Sequence, residues 1–247
     1  MRVALCLYGL TGSVDFGYGL GKPIDPRIAH NHHTKRIIEA NENVDVFFHT
    51  WSTDFEDMLV DIYKPKGHIA EKQILFSPDS VGKNSIPSRW WSNAMVMQLK
   101  QKYEEENGFK YDWVMLYRFD HIFLVNLNFS EFDNQYIYFR HTNGLRAPQQ
   151  FSHGYPGREE CRCYGKKGKY GLRLHDVFTF GNSENMDKFS SVYDETKEFN
   201  INNFAMFTDN LTSNPIVQSR FPGWAGIDNF DTAELKERVG FSKDAKI

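Results

Sequence analysis

Three nearly continuous apolar runs and one four-residue rhythm organise most of the chain. Val3 to Leu7, Val44 to Phe48 and Trp113 to Tyr117 are dominated by apolar side chains, the pattern of strands covered on both faces in a parallel sheet. Trp91, Met95, Leu99 and Tyr103 recur four residues apart. That spacing predicts an amphipathic helix capped by Ser88 and closed by Gly108. Asp25-Pro26 reads as an N-cap followed by proline in the first turn, opening a helix to about residue 40. Strand, helix and strand then form a β-α-β unit.

Thr53 or Asp54 caps a short helix carrying Met58, Leu59 and Ile62, which must stop before Pro65. Short strands are expected over 73–76 and 136–140, and a further one at Asp176 to Phe180. Asn182 or Ser183 then caps a helix with Met186, Phe189 and Tyr193 on one face. Asp231-Thr232-Ala233-Glu234 has the form of a capping box, with Gly240 ending the helix it would open. The expected organisation is one α/β domain over 1–247, with a long loop at about 141–171 and a helical extension at about 200–247. Glu104-Glu105-Glu106 ends the long helix with charge that opposes its dipole, which predicts a solvated, fraying turn.

The third apolar run carries charge where charge needs a reason: Arg118 and Asp120 follow it, and Ile122 to Leu124 are apolar again. In open α/β sheets the ligand crevice lies beyond the carboxyl ends of the strands, so both groups are expected there, on one side of the strand. Two readings are open. One is a site for an anionic, phosphorylated ligand, with or without a metal; the other is a buried structural ion pair.

Composition sets the class. With 247 residues, 40% hydrophobic and 25% charged, the chain can bury a full core. A formal net charge of -3 supplies no general attraction for nucleic acid. The first apolar run is too short to span a membrane and has no secretory cleavage pattern. The three cysteines, Cys6, Cys161 and Cys163, are too few for a disulfide framework, so a cytoplasmic location is expected. The sequons at Asn128 and Asn210 are read as chance in that context.

Taken in order, Leu7-Tyr8-Gly9, Asp45-Val46-Phe47-Phe48-His49-Thr50-Trp51, Ser88-Arg89-Trp90-Trp91-Ser92, Phe109-Lys110-Tyr111-Asp112, Arg118-Phe119-Asp120 and Asp176-Val177-Phe178-Thr179-Phe180-Gly181-Asn182-Ser183 resemble small GT-A-type glycosyltransferases of bacterial surface-polysaccharide genes and of phage and large-virus genomes. The resemblance spans roughly residues 1 to 200. It implies a GT-A-like, Rossmann-type, mostly parallel sheet flanked by helices, and transfer of a sugar from a nucleotide-sugar donor to a glycan or other hydroxyl acceptor. It also implies a divalent metal, Mn or Mg, held by an Asp-x-Asp motif. Here the first carboxylate is replaced by Arg118. Either Asp120, with His121 and phosphate, holds the metal, or Arg118 contacts the diphosphate directly, since guanidinium pairs bidentately with phosphate.

By the same resemblance, Tyr8, Gly9 and Leu10 border the nucleotide with Thr50 and Trp51 nearby, Trp51 being open equally to a place in the core. Arg89 at the start of the long helix is either a second phosphate ligand, helped by helix-end amides, or a surface arginine. Since Trp90 and Trp91 cannot both face the core of one helix, one is expected to line the sugar pocket. Asp176 is the candidate base for the acceptor hydroxyl, with Asp228 in reserve. A non-catalytic nucleotide- or carbohydrate-binding protein on the same fold is the alternative, and a nucleotidyltransferase a third.

Other motifs add little. Gly21-Lys22 lacks the spacing and the hydroxyl residue of a P-loop. His30, His32 and His33 are read as solvated positions, and Lys166, Lys167 and Lys169 as a solvated loop. His153 with Cys161 and Cys163 falls one ligand short of a closed zinc site.

Overall fold

The computed structural model of the chain describes residues 1–12, 23–74, 85–141, 174–191, 224–227 and 232–234. Nine strands are described: β1 (Val3–Gly9), β2 (Val44–Thr50), β3 (Gly67–Ala70), β4 (Trp113–Arg118), β5 (His121–Phe123), β6 (Ile137–His141), β7 (Leu174–Gly181), β8 (Trp224–Ile227) and β9 (Thr232–Glu234). Four helices accompany them: α1 (Pro26–His33), α2 (Glu56–Tyr63), α3 (Ser85–Asn107) and α4 (Ser183–Ser190). Seven strands form one sheet in the order β3-β2-β1-β4-β7-β6-β8, and β5 pairs with β9. Strands β3, β2, β1 and β4 are mutually parallel, β7 runs against β4 and β6, and β8 is parallel to β6. The expected GT-A-like, Rossmann-type arrangement is therefore present: a mixed, mostly parallel sheet flanked by helices.

The apolar runs bury both faces because alternate residues serve different layers. Ala4, Cys6, Tyr8 and Phe47 pack with Trp90, Ala94 and Met97 of α3 and with Met186 and Phe189 of α4. Val3, Leu5, Leu7 and Phe48 pack in a second layer with Ile37, Leu59 and Tyr63. Gly67 brings β3 against α3, where a Cβ would lie 3.5 Å from Leu99 Cδ2.

Local signals explain most helix ends. Asp25 caps α1, its carboxylate accepting from the Arg27 amide at 2.9 Å, and Pro26 starts the helix. Beyond α1 the chain continues as one wider turn, Thr34–Ile38, closed by the Glu39 amide on the Thr34 carbonyl at 2.8 Å. Asn182 caps α4 through the Asn185 amide at 2.8 Å. Helix α2 ends with Lys64 in the left-handed region, φ 46°, one residue before Pro65.

Several expectations are corrected. Helix α3 starts at Ser85, so Ser88 lies inside it and is buried, its hydroxyl accepting from Gln73 Nε2 at 3.4 Å. Strand β3 at Gly67–Ala70 was not expected; of the expected strand at 73–76, Gln73 and Ile74 lie outside any strand and 75–76 lie outside the described residues. Thr232–Glu234 is strand β9, pairing with β5 through His121 opposite Glu234. A capping-box pattern specifies a helix only when no neighbouring strand edge takes up the same amides, and here β5 does. The expected helical extension is thus represented, where described, by β8 and β9. The loop expected at about 141–171, with Cys161 and Cys163, falls outside the described residues apart from His141, which ends β6.

The acidic end of α3 does not fray at Glu104. That carboxylate is buried, accepting from Lys100 Nζ at 3.0 Å, Lys110 Nζ at 2.8 Å, Ser183 Oγ at 2.7 Å and the Tyr111 amide at 2.9 Å. Lys100 also donates to Ser183 Oγ at 2.8 Å and Asp187 Oδ1 at 2.6 Å, using its three protons. These bonds hold the Glu104 carboxyl below its ordinary value although burial pushes it up. The cluster clamps α3, α4 and the approach to β4 together.

His33 is likewise buried rather than solvated. Its Nε2 lies 2.7 Å from the His121 carbonyl oxygen and its Nδ1 lies 2.8 Å from the Tyr63 hydroxyl. A carbonyl only accepts, so Nε2 carries the proton and Nδ1 accepts from Tyr63. Burial, with the nearby His30 and His32, lowers the His33 pKa to about 4. The unfolded chain therefore binds the His33 proton first as pH falls through about 6.5, and the folded chain only near 4. Stability from neutral His33 should be complete above about pH 6.5 and decline by up to about 3 kcal/mol as pH approaches 4, at about 1.4 kcal/mol per pH unit. Denaturant titrations across this window should show that decline in the native protein, and a shallower one in His33→Asn.

Candidate functional site

Strand β1 lies between β2 and β4, so the chain leaves it in one direction through β2 and β3 and returns on its other side as β4. In sheets with such a reversal ligands bind beyond the carboxyl ends of the flanking strands, which here are β1 and β4. The register lines up a row across this edge. Tyr8 stands opposite His49 on one side and Arg118 on the other, and Gly9 stands opposite Thr50.

Arg118 ends β4, and Asp120 follows in the turn before β5. The guanidinium grips the carboxylate with two bonds, Nε to Oδ1 at 2.8 Å and Nη2 to Oδ2 at 2.5 Å. The pair is not sealed: the side chains keep 25% and 12% of their exposure. Asp120 rests against the segment after β1, where a Cβ on Gly12 would come 3.2 Å from Asp120 Cβ. Gly12 also has φ +107°, so glycine serves there for backbone and for space.

A second polar chain holds the end of β1. The Gly9 amide donates to Ser92 Oγ at 3.1 Å, and the Gly9 carbonyl accepts from Thr50 Oγ1 at 3.0 Å and from the Trp51 amide at 3.2 Å. Ser92 Oγ lies 2.6 Å from His49 Nδ1, and His49 Nε2 lies 3.0 Å from Glu71 Oε1, which also accepts from Trp91 Nε1 at 2.6 Å. Burial lowers the His49 pKa against the opposing pull of Glu71. Neutral His49 then donates from Nε2 to Glu71 and accepts the Ser92 hydroxyl proton at Nδ1, leaving Ser92 Oγ to receive the Gly9 amide. Thr11 is tied in as well, its amide donating to Ser52 Oγ at 3.1 Å.

No protein-family model and no curated protein matches this chain. Among solved structures it is similar to a glycosyltransferase involved in glycosylation of the major capsid of PBCV-1, with TM-score 0.43 and 9% identity over 92% of this chain and 82% of that one. It is also similar to mouse xyloside xylosyltransferase 1 in its apo form, with TM-score 0.41 and 10% identity over 92% and 84% of the two chains. Identities this low leave activity to be judged from the residues of this chain.

Several residues singled out in the sequence gather at this edge. Tyr8, Gly9, Thr50, Arg118 and Asp120 are adjacent by register or hydrogen bond, and Leu10 continues from Gly9, half-buried. Because Gly9 spends its amide and carbonyl on Ser92, Thr50 and Trp51, its contribution to a ligand is the open space above its Cα, where a Cβ would meet nothing within 4 Å. Trp51 is buried edge-on against the His49 ring at 4.6 Å, so it supports the site rather than lining it. Trp90 packs in the core on Phe189, while Trp91 reaches Glu71. Arg89 lies over the Trp90 ring at 5.3 Å, beside the Ser92 turn of α3. The His121 ring is buried and its carbonyl is used by His33.

The antiparallel course of β7 starts that strand at the carboxyl edge of β4, so the backbone of Asp176 comes to the Arg118 edge. Strand β8, parallel to β6, ends at Ile227 on the same edge. Asp228 lies outside the described residues. Among the described residues Asp120 has both oxygens engaged by Arg118, and no three His, Cys, Asp or Glu side chains gather to hold a metal.

In the sequence His49 and Ser92 stand only as members of the segments that carry the resemblance, with no role of their own, and Glu71 stands in none of them. The adjacency of His49 to Thr50 was a visible signal, since the residue before a strand end on the α3 face must also border that edge. Ser92 and Glu71 carried none, because their pairing with His49 joins residues distant in the chain.

Proposed function

We propose that this chain is a nucleotide-sugar-dependent glycosyltransferase that passes a sugar to a glycan or other hydroxyl acceptor. The observation that carries the reading is the partly exposed Arg118–Asp120 pair at the carboxyl ends of β1 and β4. A departing nucleoside diphosphate needs positive charge at its phosphates, and a guanidinium in a partly dry site supplies it without reorganising. Arg118 is therefore assigned to the diphosphate, with Gly9, Leu10 and Thr50 bordering the nucleotide. Arg89 remains a second phosphate ligand in this reading, and Asp176 the base, with Asp228 as its alternate. If Mn or Mg takes part, Asp120 is its protein ligand and the substrate phosphates complete the shell, which fits hard divalent ions.

One feature favours a second reading. Arg118 stands where the family motif has a carboxylate, as it would in a binding protein that kept the fold and lost transfer. Calorimetric titration with a panel of nucleoside diphosphates, with and without Mn, followed by assays of donor hydrolysis and sugar transfer, separates the two. Binding with turnover is the expected result. Binding without turnover favours the binding protein, and absence of binding to every member removes the donor site. No helix among the described residues is long and apolar enough to cross a membrane.

A further inference from the structure

We infer that the Asp120 carboxylate occupies the place of the diphosphate on Arg118, as an internal ligand that the incoming nucleotide displaces and that recaptures the guanidinium when the diphosphate leaves. This rests on the donor-site reading above and adds how that site is kept closed and how it empties.

Three observations support it. The fork is filled side-on, with Nε and Nη2 on the two oxygens of one group at 2.8 and 2.5 Å, the way a phosphate presents a pair of oxygens to arginine. The pair also differs from an ion pair built for the fold. The Lys100 cluster is buried and joins residues as far apart as 100 and 187. Arg118 and Asp120 are two residues apart, so the bond between them closes no long loop. Finally, the pair sits at the strand reversal where a ligand would arrive, with Gly12 packed against Asp120 Cβ.

A diphosphate brings more negative charge than the carboxylate and the same bidentate geometry, so exchange is favourable at Arg118. The displaced carboxylate then faces phosphate, and this like-charge contact opposes binding. The net result is modest affinity and easy release of the leaving group.

The test is calorimetry in EDTA on the whole chain, with inorganic pyrophosphate and the nucleoside diphosphate panel as titrants, on the native protein, Asp120→Asn and Asp120→Ser. Removing the internal competitor should tighten binding about tenfold in both variants. Binding by the variants alone would support the exchange more strongly still. If the native protein binds and both variants bind equally or more weakly, the exchange is refuted while the donor site stands. If no protein binds any titrant, with or without Mn, both ideas fall together. Loss of the native circular dichroism spectrum in both variants would show the pair to be structural and overturn the exchange.

Discussion

Arg118→Ala is expected to weaken nucleoside diphosphate binding by about 100-fold and to take sugar transfer down with it, while the circular dichroism spectrum stays native. The size follows from two charge-assisted bonds in a partly dry site, together about 3 kcal/mol. The unpaired Asp120 carboxylate left behind would add repulsion toward phosphate. Arg118→Lys should recover only part of the loss, because an ammonium keeps the charge without the planar fork. Calorimetry reads the affinity and a transfer assay the activity. Unchanged binding in Arg118→Ala would place the diphosphate elsewhere, and an unfolded variant would return the pair to a structural role.

The second large effect concerns stability. Lys100→Met should destabilise the fold by about 3–5 kcal/mol, the usual cost of removing one member of a buried ionic group. Glu104 would keep Lys110, Ser183 and the Tyr111 amide, but Asp187 would lose its 2.6 Å partner and the buried lysine charge would vanish from between them. For a chain of this size that loss lowers the unfolding midpoint by about 10 °C. Differential scanning calorimetry on both proteins measures it. Because the cluster lies at the far end of α3 from Ser92, nucleotide affinity at a temperature where both are folded should be unchanged.

Strands β1, β2 and β4 were legible because they are largely buried on both faces and so read as unbroken apolar runs, whereas the partly exposed β3 carries no such run. Asp25 and Asn182 announced their helices because a cap is a local bond between near neighbours. Strand β9 was misread for the opposite reason: its local pattern is that of a capping box, and the partner that overrides it, β5, lies more than a hundred residues away. The charged end of α3 misled in the same way, since Glu104 alone looks solvated and only its neighbours from α4 and from the segment before β4 make it a core residue.

At the candidate site, Arg118 and Asp120 stood out as charges interrupting an apolar run. The β-α-β reading joins only β1 and β2; the adjacency of Arg118 to Tyr8 comes from the pairing of β4 with β1. The relay from Glu71 through His49 and Ser92 to Gly9 was not legible, because three of its four members come from different elements and each is ordinary in its own neighbourhood.

By itself, the order of residues determined the class of fold, the strands that meet in its centre and the two charged groups at the end of β4, because period, capping and desolvation act over a few residues. Tertiary structure alone decided that β7 runs backward and carries Asp176 to the Arg118 edge, that Asp120 fills the guanidinium fork, and that Lys100 and His33 lie inside. Those outcomes depend on which distant groups share the same dry space, and burial sets the strength of a charge or hydrogen bond only after the chain has closed around it.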